Sequence, residues 1–151
     1  NRPLILTYDV GTQSTRAILV DKQGNIVDKE QVKYAEPYFR QRPGWAEQKT
    51  DFYFDNMCKA STALMARNAD KNHRLRITVI RDTLVFLDEN YQPTRDIIHW
   101  LDARKCVFDD PFPLWKEAVF ELIGMGKGTR IAYRTSKVNW VRQKQPKVWA
   151  R

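Results

Sequence analysis

Hydrophobic residues recur along this chain with two different periods, and the change from one to the other marks its elements. Residues 4–8 and 17–20 are apolar runs of strand length, and strands are expected over 4–8, 17–21 and 26–34, the third mostly polar. The first two flank Asp9-Val10-Gly11-Thr12-Gln13-Ser14-Thr15-Arg16, an octet of polar or small residues that reads as the tip of a β-hairpin; Lys22-Gln23-Gly24-Asn25 reads as the next turn. The result is an antiparallel three-strand meander whose polar third strand suits an edge. Residues 35–48, with Pro37, Pro43, Gly44 and Trp45, keep no period and predict an ordered loop.

The period then lengthens. Phe54, Met57, Cys58, Ser61, Leu64 and Met65 recur at helical spacing up to Arg67, with Thr50 as the expected N-cap. A polar turn over residues 68–74 leads into two expected strands, 75–80 and 83–87, separated by Arg81-Asp82, and a short strand is expected over 96–100. Leu114, Trp115, Ala118, Val119, Leu122 and Ile123 form a second helical stripe behind Asp110 and two prolines, terminated by the glycines of 124–128. Ser136 caps a last helix that Pro146 ends. Strands alternating with helices after an antiparallel opening predict an α/β or α+β sheet with helices packed on it.

Composition narrows this picture. A chain of 151 residues with 42% hydrophobic content suits one ordinary domain rather than two sizeable ones. No apolar run approaches the roughly 20 residues that cross a bilayer, and no signal-peptide pattern opens the chain, so a cytoplasmic protein is expected. Cys58 and Cys106 fit no paired spacing and are expected as free thiols; His73 and His99 are isolated, which disfavours zinc. The net charge of +8 raises nucleic-acid binding as an alternative, but the basic residues are scattered and fit no known nucleic-acid motif. Their excess falls between Lys127 and Arg151, where eight Lys or Arg residues meet no acidic one.

Several stretches carry chemistry. The octet offers backbone amides, hydroxyls and an arginine to an anion, and a carboxylate to a hydrated metal ion, which suits a nucleotide phosphate with magnesium; an ordinary polar turn has the same composition. Arg81-Asp82 between apolar strands can hold a polyhydroxylated substrate, or form a surface turn with a weak ion pair. Trp100, Asp102 and Arg104 alternate, so all three can point one way toward a sugar; equally, Trp100 can be core and Asp102–Arg104 an interior salt link. Gly124-Met125-Gly126-Lys127-Gly128-Thr129 fails the Walker spacing, since it follows a helix and places Gly128 after the lysine, and it reads as a flexible loop.

Taken together, these segments resemble the N-terminal part of the FGGY carbohydrate kinases. The resemblance rests on Asp9 to Arg16 followed by Ala17 to Asp21 and Gly24; on Pro43-Gly44-Trp45-Ala46-Glu47-Gln48; on Arg81-Asp82-Thr83, Leu87-Asp88, Pro93 and Ile98 to Arg104; and on Ser136 to Trp140 with Pro146 and Trp149. It implies a ribonuclease H-like fold of the actin and sugar-kinase type, with residues 1–151 an incomplete N-terminal domain. It also implies ATP and Mg2+ as cofactors and a sugar or polyol as substrate. Asp9 would orient magnesium through water, and Gly11, Thr12, Gln13, Ser14 and Arg16 would approach the ATP phosphates. Arg81 and Asp82 would bind substrate hydroxyls, with Trp100 and Asp102 lining or supporting that pocket.

The departures matter as much. The family's general-base Asp is expected beyond Arg151 and its adenosine pocket in a second, C-terminal domain, so this chain alone is expected to be inactive, with the C-terminal half of the same enzyme as its missing partner. A homo-oligomer is compatible with the pattern, and neither nucleic acid nor membrane is an expected partner. Residues before Arg81 are fewer than the family's longer apolar strand, and the register around Tyr133 is off by one from a substrate-contacting tyrosine of glycerol kinases. Arg81 followed by an acid favours a small polyol over the substrate of xylulose kinases. Another actin-like ATPase is disfavoured by Gly44-Trp45-Ala46-Glu47 and by Trp100 to Arg104.

Overall fold

Alternation of burial along the first strand shows how the sheet is built. In the computed structural model, which describes residues 4–69, 73–109 and 112–150, Leu4, Leu6, Tyr8 and Val10 of β1 (Leu4–Val10) turn inward while the residues between them are half-exposed. β2 (Ser14–Val20) pairs antiparallel with β1 and matches it, placing Leu19 beside Leu6, Ala17 beside Tyr8 and Thr15 beside Val10. β3 (Ile26–Lys33) pairs antiparallel with β2. β5 (His73–Thr78) pairs parallel with β1, so the sheet order is β3-β2-β1-β5. The polar third strand is an edge, as its sequence predicts. A further two-residue strand, β4 (Glu47–Gln48), precedes the helix that links β3 to β5.

That helix, α1 (Phe52–Ala66), buries Asn56, Ala60 and Leu64 at four-residue spacing on the sheet. Leu19 and Leu64 are fully buried, and burying a leucine contributes about 1.5–3 kcal/mol. The buried stripe is rotated from the one the spacing predicts: Phe54 is 67% exposed and Cys58 points to solvent. Met57 and Leu64 of that stripe do pack on the core, Tyr53 and Ala60 take the place of Phe54 and Cys58, and a stripe containing Asn56 reads as polar from sequence alone. The N-cap is Asp51, not Thr50.

The chain divides into two compact units, residues 1–39 with 48–83 and residues 40–47 with 84–151. The sheet and α1 make up the first. In the second, Leu84 bridges antiparallel to Ile98 and Leu87 to Pro93, and the strands expected over 83–87 and 96–100 shrink to these isolated bridges and to β6 (Ile97–Ile98). Helices follow: α2 (Leu114–Leu122), α3 (Gly126–Thr135), α4 (Lys137–Lys144) and the short α5 (Pro146–Trp149). Asp110 and Pro111, read as a helix start, lie outside the described residues.

Gly124, at φ +74°, ends α2: its own N–H donates to Glu121 O at 3.0 Å and that of Met125 to Phe120 O at 2.8 Å, the two bonds of a Schellman motif. Gly126 to Thr129, read as a flexible loop, instead begins α3, because glycine costs a helix only about 1 kcal/mol per residue. Ser136 caps α4 as predicted, its hydroxyl accepting from the Asn139 N–H. The core here is Ile98, Cys106, Trp140 and Val141, with Trp45, Phe86, Tyr133 and Val148 against it. The stripe expected to bury α2 is outward: none of its residues is buried, and Leu114 and Leu122 are 85% and 86% exposed. No helix among the described residues is long and apolar enough to cross a membrane.

Candidate functional site

The octet is not all tip. β1 extends through Val10 and β2 begins at Ser14, so only Gly11, Thr12 and Gln13 turn, and Asp9 and Arg16 face each other as paired strand residues. Arg16 Nη1 donates to Asp9 Oδ2 at 2.7 Å, and both side chains are about half exposed. The other carboxylate oxygen, Oδ1, is left as an acceptor at the mouth of the turn. The turn closes through Gly11 N–H to Ser14 O at 3.0 Å, and a Cβ on Gly11 would stand 3.3 Å from that same oxygen, so a larger residue would press on the turn's own backbone. Gln31 Nε2 donates to Ser14 Oγ at 2.9 Å.

The turn is held from one side by Tyr34, at the end of β3. Its N–H donates to Gln13 O at 3.0 Å and its hydroxyl pairs with Thr15 Oγ1. Burial pushes the Tyr34 phenol up from its ordinary pKa, and burial pushes Tyr53 up to about 12. Both stay protonated at neutral pH. A second hydroxyl pair, Tyr8 with Ser61, joins β1 to α1.

β1 and β5 are parallel, with Asp9 beside Thr78. Their carboxyl ends therefore lie at one end of the sheet, and the chain leaving β5 reaches Arg81-Asp82 just beyond it. Ligands collect at the carboxyl ends of parallel strands because adjacent connections diverge there. Arg81 and Asp82 form an exposed turn, with Asp82 at φ +55°, a left-handed conformation that Asp tolerates better than most side chains. The hairpin and this pair thus share one end of the first unit's sheet.

Trp100 and Asp102 belong to the second unit. The alternation expected to point Trp100, Asp102 and Arg104 the same way does not occur, because the Asp102 N–H bonds to His99 O and turns the chain. Trp100 is 45% exposed, while Asp102 and Arg104 are buried. Asp102 Oδ2 accepts from the Ala46 N–H at 2.7 Å, and Oδ1 from the Arg104 N–H at 2.9 Å and Arg104 Nε at 2.8 Å. Both oxygens are engaged, so Asp102 supports this loop rather than presenting a free carboxylate.

Around it lies a charge cluster of which sequence reasoning anticipated only the interior Asp102–Arg104 link. Glu47 receives an ion pair from Arg95 and another from Arg104 Nη1 at 2.9 Å, with all three side chains under a tenth exposed. The Arg104 guanidinium is stacked between Trp45 and Trp140, 4.1 and 4.5 Å from their ring centres. Glu47 stood in a noted motif without a role, and nothing near Arg95 marks it as buried. His99 is buried beside this cluster; burial lowers its pKa, opposed by Asp102 and aided by Lys137.

Among the described residues no group of three or more His, Cys, Asp and Glu gathers as a metal site. Magnesium is commonly held by one or two carboxylates together with waters and substrate phosphates. Asp9, with its half-exposed side chain, fits that donor set, for an ion arriving with a nucleotide.

A sequence profile of the FGGY family of carbohydrate kinases, N-terminal domain, matches residues 4–151. The chain belongs to this family. A glycerol kinase of Burkholderia cenocepacia (strain HI2424) is 30% identical over 148 residues, covering 94% of this chain and 29% of that protein. The FGGY fold is equally plain in solved structures. A gluconate kinase from Lactobacillus acidophilus superposes with a TM-score of 0.74 at 20% identity, over 100% of this chain and 30% of that one. Plasmodium falciparum glycerol kinase with ADP gives a TM-score of 0.70 at 22% identity, over 99% of this chain and 30% of the other. The chain thus spans about three-tenths of the length of the FGGY kinases it matches, and its fold is their ribonuclease H-like one, in part.

Proposed function

We propose that this chain is the phosphate-binding and acceptor-binding portion of an ATP-dependent carbohydrate kinase, which transfers a phosphoryl group to a hydroxyl of a sugar or small polyol. The observation that carries this reading is the placing of the Gly11–Gln13 turn and of Arg81-Asp82 at one end of the sheet by parallel β1 and β5, in a chain of the FGGY family. Asp9, kept in place by Arg16, would help hold a hydrated magnesium ion. Gly11 lets the backbone approach the ATP phosphates, and Thr12, Gln13 and Ser14 present donors to them. Arg81 donates to substrate hydroxyl oxygens and Asp82 accepts from hydroxyl hydrogens. Trp100 supplies an aromatic face to the sugar, and Asp102 fixes the loop that carries it.

When bound, magnesium would supply charge neutralisation to the transferring phosphoryl group; the protein's share is alignment and oriented donors. The general base is an Asp beyond Arg151, and the adenosine pocket belongs to a second domain of the same polypeptide. Residues 1–151 are in this reading a partial N-terminal domain of a cytoplasmic enzyme, with glycerol-like polyols preferred because an acid follows Arg81.

Phosphoryl transfer from ATP to glycerol, D-gluconate and D-xylulose by the complete polypeptide containing this chain tests the reading. One acceptor is expected to be phosphorylated, and Asp9→Asn to lower kcat on the order of 100-fold. Transfer to none of the three, or an Asp9→Asn enzyme as fast as the unaltered one, would overturn it.

A further inference from the structure

We infer that the first unit holds a second polyol- or sugar-binding site, separate from Arg81, Asp82 and Trp100. A cavity of about 610 Å³ opens between the end of β3, residues 34–39 and the first half of α1. Small-molecule sites commonly occupy roughly 300–1,000 Å³. The rings of Tyr34, Phe39 and Phe52 line it; Tyr34 and Phe52 meet edge-on at 4.8 Å, and Lys49 Nζ stands 5.3 Å from the centre of the Phe39 ring.

The polar lining decides the ligand class. Lys33 and Lys59 bring ammonium donors, while Glu36 and Asp55 bring carboxylate acceptors. Asn56 is only 7% exposed; its Nδ2 donates to Phe52 O at 2.7 Å, and its Oδ1 is left as an acceptor. A phosphate needs donors alone and is opposed by the two carboxylates. An organic cation is opposed by the two ammonium groups. A hydrocarbon would strip water from all four charges without replacing it. A neutral polyhydroxylated ligand uses the whole set without bringing a charge of its own, since every hydroxyl both donates and accepts and its C–H faces lie against the aromatic rings. Tyr34 ties this cavity to the hairpin, because the residue lining it also holds Gln13 and Thr15.

The site is tested by titrating the isotopically labelled complete polypeptide containing this chain with D-glucose and with sorbitol, and following binding by saturation transfer from the protein to ligand protons. Binding in the millimolar range is expected, with amide shifts on residues 33–39 and 52–59. The double variant Asp55→Ala/Lys59→Ala alters exposed side chains that no core contact needs, and is expected to weaken binding roughly tenfold. Arg81→Ala is expected to leave it unchanged. Absence of binding, or binding lost in Arg81→Ala and unaltered in the double variant, would overturn the inference. So would inorganic phosphate or tetramethylammonium binding there in place of the sugars. None of these results bears on phosphoryl transfer by the complete enzyme, which the Asp9→Asn comparison tests by itself.

Discussion

Arg67, at the end of α1, reaches Asp28 and Glu30 on β3 with all three side chains substantially exposed, whereas Arg95 and Arg104 meet Glu47 and Asp102 at positions less than a tenth exposed. The first unit keeps its charges in water and fills its centre with Leu4, Leu6, Leu19 and Leu64. The second places two cations and two anions at its centre and leaves the apolar side of α2 outside. Charges in water are cheap to keep and cheap to lose. Charges out of water are stabilised only by the geometry of their partners, and removing one leaves the others without compensation. The second unit's fold therefore depends on a few polar groups that also carry the Trp100 loop.

This contrast can be broken experimentally, because all five tryptophans lie in the second unit and fluorescence reports on it alone. Glu47→Ala leaves Arg95 and Arg104 facing each other, and is expected to destabilise the fluorescence-monitored transition by about 3–5 kcal/mol in urea titration. Leu64→Ala opens a cavity beneath the sheet and is expected to cost the first unit about 2–5 kcal/mol, read from the exchange of β1 and β2 amides. Equal effects of Glu47→Ala on both readouts would remove the distinction between the units.

Acid should separate them more gently. The ordinary His pKa is 6.5 and that of folded His99 lies lower, so below pH 6.5 the unfolded chain takes a proton that the folded one refuses. The tryptophan-reported unit is expected to lose stability from pH 6.5 downward, and His99→Gln to flatten that slope. Asp28 runs the same way in sign but at lower pH. Bonds from Arg67 and Asn68 hold its pKa at about 2 against an ordinary 3.8, so its contribution persists above pH 3.8 and fades toward pH 2. Arg67→Met is expected to have the smallest effect, one that shrinks further as salt is added.

Much of the first unit was legible in the sequence because its strands obey local alternation and pair with near neighbours: the meander, the polar edge strand and the turn at residues 22–25 all follow from positions a few residues apart. The α1 stripe was misread because burial depends on which side meets the sheet, and Asn56 earns its place through a bond to Phe52 O. The second unit was read less well. Its decisive contacts join Ala46 and Glu47 to residues 95–104 across some fifty positions, and no short-range pattern encodes them. The interior Asp102–Arg104 link was legible as one of two readings, because the two residues are neighbours, but its partners Ala46, Glu47 and Arg95 were not. For the candidate site, the hairpin residues were legible as a motif, but the pairing of Asp9 with Arg16 required the register of two strands.

The most direct test concerns that hairpin. Magnesium and tripolyphosphate titrated into the labelled 151-residue chain should shift the amides of Gly11 to Arg16, and Asp9→Asn should remove those shifts while the rest of the spectrum holds. Shifts absent from Gly11–Arg16 and concentrated on the basic helices α3 to α5 would contradict a phosphate site at the hairpin and assign the polyanion to surface charge instead.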